Sequence, residues 1–197
     1  MNLPNKLTLI RIFLIPVFLL VLSLNVKYGD YIAAAVFILA ASTDGLDGYI
    51  ARKRRLITTL GKLMDPLADK LLVSAALIAL VELQRLPAWV AVIIIGREFA
   101  VTGLRTLAAA EGTIIAAGKL GKIKTVTQII AISLLILKDL PLLIGYVLTG
   151  SMAAPSEAVM VWNILQQVSL WVAILFTVWS GIDYFNRSWS VIKKGGF

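Results

Sequence analysis

The sequence contains neither cysteine nor histidine. Without cysteine there is no disulfide framework and no thiolate metal site, and thiol usage says nothing about redox compartment. Without histidine the commonest general base and the usual transition-metal ligand are missing. Every hydrolytic triad built on an imidazole is excluded, and carboxylates remain as the groups able to hold a metal or take a proton. Charge is also scarce: only 15% of the 197 residues are Asp, Glu, Lys or Arg, and just 11 of these are acidic. A carboxylate that recurs in a pattern is therefore informative.

What fills the chain is apolar. Hydrophobic residues make up 59% of it and the mean hydropathy is +0.90, well beyond ordinary soluble domains. A membrane-crossing helix takes roughly 20 mostly apolar residues, so this length allows about six spans and leaves no room for a separate soluble domain. Read between breakers, the apolar runs predict them at about Leu7 to Leu24, Tyr31 to Ala51, Asp65 to Val81, Pro87 to Ala110, Ile123 to Leu148 and Val159 to Phe185. The expected fold is all-α: a polytopic membrane protein of six transmembrane helices in one bundle, a single domain over residues 1–197. The apolar stretch after the polar start lacks a small-residue cleavage site and is expected to be the first span, not a removed signal.

Basic residues orient the bundle. Lys27, Arg85 and Lys138 fall on one side of the expected spans, and the other sixteen of nineteen fall on or toward the opposite side. By the positive-inside rule that side is cytoplasmic, and six spans put both termini there. The net charge of +8 then implies attraction to anionic lipid headgroups or phosphorylated substrates, with no nucleic-acid partner expected. Trp89, Trp162, Trp171, Trp179 and Trp189 are expected as interface anchors and lipid-facing bulk.

The most informative stretch holds four aspartates where two apolar segments meet the cytoplasmic interface. At 3.6 residues per turn Asp44 and Asp47 lie about 60° apart on one helix face, and Asp65 and Asp69 about 40° apart on the next. The short connection between them makes the helices neighbours, so the four carboxylates can converge. Unneutralised they would repel; with one or two divalent cations they form an oxygen-ligand site suited to Mg2+ or Mn2+. Gly45, Gly48, Ala51 and Gly61 remove bulk beside them, so a diphosphate can approach backbone. Arg52 offers a fork of donors to phosphate oxygens. Asp65 and Pro66 are expected as the N-cap and first residue of the third helix. The bland alternative makes these aspartates caps and partners for Arg52, Lys53, Arg54, Arg55, Lys62 and Lys70, without metal.

The run Asp44-x-x-Asp47-Gly48-x-x-Ala51-Arg52, eight residues, Gly61, three residues, Asp65, three residues, Asp69 resembles the signature of the CDP-alcohol phosphotransferase family, with each of its eight specified positions filled across 26 residues. The resemblance implies a six-helix membrane core over the whole chain and a homodimer. It also implies that the aspartates bind metal bridging the diphosphate of CDP-diacylglycerol and that Asp69 acts as catalytic base on the acceptor hydroxyl. Asp47, Gly48, Arg52 and Gly61 would line the nucleotide and diphosphate, on the cytoplasmic face of a multi-pass cell-membrane protein.

The acceptor is read from basic residues elsewhere: Arg97, Arg105, Lys119, Lys122 and Lys124. Arg97 lies about ten residues into the fourth expected span, where a charge must be paired or line a polar cavity, and Arg105 follows eight residues later, about 80° round. Either Arg97 pairs with Glu98 or another acid, or it meets an anion. Lys119, Lys122 and Lys124 are either interfacial anchors or part of the same anion site. The segments Asn5 to Arg11 with Pro16, Gly96 to Arg105, and Gly121 to Thr125 with Gln128 look like those of bacterial family members. That likeness implies sn-glycerol 3-phosphate as acceptor, with phosphatidylglycerophosphate and CMP as products. The competing readings are the same chemistry on inositol phosphate, serine or phosphatidylglycerol, or a divalent-cation transporter. A transporter would place its carboxylates near the midplane.

Overall fold

The computed structural model describes the backbone of residues 3–24, 26, 28–54, 59–110, 118–149 and 155–194, and the side chains of residues 8–24, 26, 28–43, 67–68, 70–109, 118–147 and 155–189. The described residues are all-helical, in seven helices: α1 (Leu3–Ser23), α2 (Gly29–Arg54), α3 (Thr59–Glu82), α4 (Ala88–Ala110), α5 (Lys119–Ile136), α6 (Leu140–Thr149) and α7 (Ser156–Lys194). They fall into two compact units, Met1–Leu86 with Ile132–Trp162, and Pro87–Ala131 with Asn163–Phe197.

In the first unit α1 packs on both α2 and α3. Ile15, Phe18 and Leu22 recur on one face of α1, and Ala33, Phe37 and Ala40 on one face of α2. α3 adds Ala68, Leu72, Ala76 and Leu80. The alanines let the helix backbones approach closely. The rings of Phe18 and Phe37 meet at 5.8 Å between centroids. Gly29, buried at the start of α2, sits where a Cβ would come within 3.2 Å of the Val21 carbonyl oxygen, so a larger residue there would have to push the end of α1 away by a few tenths of an ångström.

The fifth expected run, Ile123 to Leu148, is not one helix. It breaks between Ile136 and Leu140, where Lys138 and Asp139 interrupt the apolar sequence. The Asp139 carbonyl accepts from the Leu142 and Leu143 amides, making Asp139 the N-cap of α6, and Pro141 falls in the first turn where its missing N–H has no helical partner to lose. The carbonyls around the break are taken up by side chains from three other segments. Arg85 Nη1 donates to the Ile136 oxygen at 3.0 Å, Trp162 Nε1 to that of Leu137 at 3.1 Å, and the Tyr31 hydroxyl to that of Asp139 at 2.9 Å. Arg85 also pairs with Asp30 at 2.9 Å. Trp162 thus caps a carbonyl and is not simply a lipid-facing anchor. Trp89, Trp171, Trp179 and Trp189 are exposed, as expected.

Asp65 and Pro66 do not begin a helix. α3 starts at Thr59, because Leu60, Lys62, Leu63 and Met64 are strong helix formers and carry the helix ahead of the proline. By length and composition, among the described residues, Ser156–Trp189 alone is long and apolar enough to cross a membrane, and α5 with α6 qualifies as a broken pair. Thr8–Ser23 and Gly29–Thr43 are apolar but shorter. The charges Arg97, Glu98 and Arg105 interrupt α4, so apolar length identifies fewer segments than the six expected.

In the second unit Val90, Ala91, Ile94 and Val101 of α4 and Leu170, Ala173 and Ile174 of α7 are buried. Polar groups join this apolar stripe farther along, Arg97, Glu98 and Arg105 on α4 and Thr177, Ser180 and Tyr184 on α7.

Candidate active site

Asp44, Asp47, Gly48 and Arg52 lie on α2, and Gly61, Asp65 and Asp69 on α3. Their side chains lie outside the described residues; the backbone places them. The two helices are joined by residues 55–58 and pack on one another. Asp44 lies ten residues before Arg54 and Asp69 ten after Thr59, while Asp47 lies seven before and Asp65 six after. At 1.5 Å per residue the two aspartate pairs therefore stand at matching distances from the connection. Carboxylates are hard oxygen donors, the ligand type that Mg2+ and Mn2+ prefer, so the residue types at these four positions suit a divalent cation.

A charge not assigned to the site from the sequence is found on α1. Arg11 is only 1% exposed, and Thr8, nearly one turn earlier, is equally buried. Burial of a guanidinium on the helix that packs against α2 and α3 is sustained only by partners. Its signal was present in the sequence, as a lone arginine inside the first apolar run.

The acceptor candidates fall in the second unit. Arg97 donates from Nη1 to Glu98 Oε1 at 3.2 Å and from Nη2 to Ser180 Oγ at 3.0 Å. Its Cγ lies 3.3 Å from where a Cβ on buried Gly181 would stand, so glycine is what lets α7 come this close. Lys124, 4% exposed, meets the same Oε1 of Glu98. Arg105 is exposed and donates from Nε to the Tyr184 hydroxyl at 3.1 Å. Lys119 and Lys122 are exposed at the start of α5, and no hydrogen bond or ion pair joins them to this network among the described residues. The structure thus brings Arg97, Arg105 and Lys124 together through Glu98 and one face of α7. Sequence reading underrated Glu98, Ser180 and Tyr184, although Ser180 and Tyr184 are spaced one turn apart. Arg187, one of the sixteen basic residues expected on the cytoplasmic side, pairs with Asp183 at 3.0 Å, beside Gly118 just ahead of α5.

Two neighbouring helices carry paired aspartates at matching distances from their connection, and the chain as a whole belongs to the CDP-alcohol phosphatidyltransferase family, whose model matches residues 1–179. It is 46% identical to the CDP-diacylglycerol--glycerol-3-phosphate 3-phosphatidyltransferase of Bacillus subtilis (strain 168), over 98% of this chain and 97% of the relative. Proteins of the same name from Rickettsia felis and Pseudomonas fluorescens are 36% and 34% identical, each with 94% of its own length covered and with 94% and 100% of this chain.

Proposed function

We propose that this protein transfers the phosphatidyl group of CDP-diacylglycerol to sn-glycerol 3-phosphate, giving phosphatidylglycerophosphate and CMP. It does so as a homodimeric six-span protein of the cytoplasmic membrane, with both termini and the site facing the cytoplasm. The observation that carries this reading is the matched placement of two aspartate pairs on α2 and α3 in a chain whose near-full-length relatives bear that activity in their names. The membrane setting is supported by large apolar side chains exposed on every helix with described side chains, among them Phe13, Leu39, Ile78, Phe99, Val147 and Leu175.

Asp44, Asp47, Asp65 and Asp69 would hold one or two Mg2+ or Mn2+ ions. When bound, such an ion neutralises the diphosphate oxygens and eases departure of CMP. Asp69 takes the proton from the acceptor hydroxyl as its oxygen attacks the phosphorus bearing the diacylglycerol, and the bond from that phosphorus to the CMP oxygen breaks. With neither cysteine nor histidine available, direct attack is simpler than a covalent intermediate. Arg52 donates to the diphosphate, and Gly48 and Gly61 let it reach backbone beside Asp47. Arg97, Arg105, Lys119, Lys122 and Lys124 supply the positive charge for the acceptor phosphate. Glu98 already offsets two of these, so Arg105, Lys119 and Lys122 make the exposed contacts.

The test is CMP release by purified protein in detergent with CDP-diacylglycerol and Mg2+ or Mn2+. Glycerol 3-phosphate is compared with inositol phosphate, serine, phosphatidylglycerol and no acceptor. Release that needs both metal and glycerol 3-phosphate is expected. Release with another alcohol only would overturn the acceptor assignment, and no release from folded protein with any acceptor would bring the transporter reading forward.

A further inference from the structure

Among the described residues of the second unit, three polar side-chain atoms are buried without a hydrogen-bond partner: Arg97 Nε, Gln128 Nε2 and Ser188 Oγ. The three are not alike. The Arg97 guanidinium is already held through both terminal nitrogens, and the Ser188 hydroxyl can rotate toward a carbonyl one turn back in its own helix. Gln128 is only 2% exposed, and among the described residues neither N–H of its amide is used. An amide donor withdrawn from water and left unpaired is costly, so a buried one marks a place where an oxygen from elsewhere belongs.

The neighbourhood says which kind of oxygen. Gln128 lies one turn beyond Lys124 on α5, about 40° round the same face. The Lys124 ammonium meets Glu98, which in turn holds Arg97. The unused donor therefore borders the cationic cluster to which the acceptor phosphate has been assigned. In a phosphorylated triol one primary hydroxyl is consumed as nucleophile, and the secondary hydroxyl, only a few bonds from the phosphate, stays free to accept a hydrogen bond.

We propose that Gln128 is a specificity-determining residue: its side-chain amide donates to the non-reacting secondary hydroxyl of the phosphorylated polyol acceptor and so selects it over a phosphorylated alcohol lacking that group. The inference rests on the acceptor reading of the preceding section. A site built to donate to a hydroxyl discriminates against the analogue without it, because the donor is then left buried and unpaired.

The experiment compares glycerol 3-phosphate with 3-hydroxypropyl phosphate, which keeps the phosphate and a primary hydroxyl but has no secondary one. CMP release from full-length protein with CDP-diacylglycerol and Mg2+ is followed for each. Wild-type protein is expected to favour glycerol 3-phosphate in kcat/KM by about tenfold or more. Gln128→Met, similar in length but without an amide, is expected to narrow that preference to within about threefold, chiefly through a higher KM for glycerol 3-phosphate. Gln128→Glu, which replaces the donors by acceptors, should do the same and stands in if the methionine variant fails to fold. A wild-type preference retained in the variants, or absent from the wild type, overturns the inference and leaves Gln128 to a bound water. Failure of the functional reading is separate: wild-type protein would then release CMP with neither phosphate ester.

Discussion

Arg105 donates from Nε to the hydroxyl of Tyr184 at 3.1 Å, and its guanidinium carbon lies 5.2 Å from the centre of the same ring. Tyr184 is buried while Arg105 is exposed, so a fixed aromatic steers a charged group that would otherwise sweep a wide arc. The terminal nitrogens of Arg105 have no partner among the described residues and remain available to an anion, in the forked geometry that suits phosphate. Tyr184→Phe keeps the ring and removes the hydrogen bond. It is expected to raise KM for glycerol 3-phosphate about fivefold while leaving KM for CDP-diacylglycerol unchanged. Arg105→Ala should raise the same KM by about 30-fold or more. Kinetics in which only the CDP-diacylglycerol KM moved would remove Arg105 from the acceptor pocket.

Glu98 offers one carboxylate oxygen to both Lys124 and Arg97. Lys124 is buried while Glu98 and Arg97 are partly exposed, so removing the carboxylate leaves the Lys124 ammonium unpaired in a poorly solvated place, at up to about 3 kcal/mol. Glu98→Gln is therefore expected to lower the melting temperature in detergent by up to roughly 6 °C. Glu98→Asp, which keeps the charge on a shorter stem, should lose less. Equal melting of wild type and Glu98→Gln would mean that these contacts add nothing to stability.

Arg85 closes the other end of α2 and α3, bridging Asp30 and the Ile136 carbonyl. Because the aspartates sit at the opposite ends of those helices, the effects should separate. Arg85→Met is expected to cost about 2–4 kcal/mol of stability while CMP release at 25 °C stays within about twofold of wild type. Asp30→Asn, whose amide oxygen can still accept from Arg85, should be milder. Thermal melting alongside CMP release checks both. A large fall in turnover at full stability would tie the break between α5 and α6 to catalysis.

Removal of divalent metal with a chelator is expected to abolish CMP release, with recovery on addition of Mg2+ or Mn2+. Asp69→Asn should lower kcat by about a thousandfold, the scale of a lost general base. Asp44→Asn and Asp47→Asn should raise the Mg2+ concentration needed for half-maximal release. Full activity in Asp69→Asn would remove that residue from the proton-transfer role.

Much of the helical framework is legible in the sequence because apolar runs between breakers are local features. α1, α2, α4 and α7 begin within about four residues of where the pattern places them. The two departures have local causes that compete with that pattern. Lys138 and Asp139 look tolerable inside a long apolar run until neighbouring side chains claim the carbonyls beside them. Pro66 reads as a helix start, yet the helix formers ahead of it extend α3 back to Thr59. At the site, aspartate spacing is likewise a property of single helices. The partners of Arg97 and Lys124 are not, and Glu98, adjacent to Arg97, could be named only as one alternative.

The sequence by itself determined an all-helical, strongly apolar chain with a carboxylate pattern and a basic bias, because helical periodicity and hydropathy act over a few turns of one segment. Only the tertiary structure decided which groups are used up and which are left over. It closed the broken end of α5 with Arg85, Tyr31 and Trp162, laid Arg97 across Gly181, and buried Gln128 without a partner among the described residues. Those outcomes depend on contacts between helices far apart along the chain, and on whether packing leaves water any access to a polar atom, which spacing along one helix does not encode.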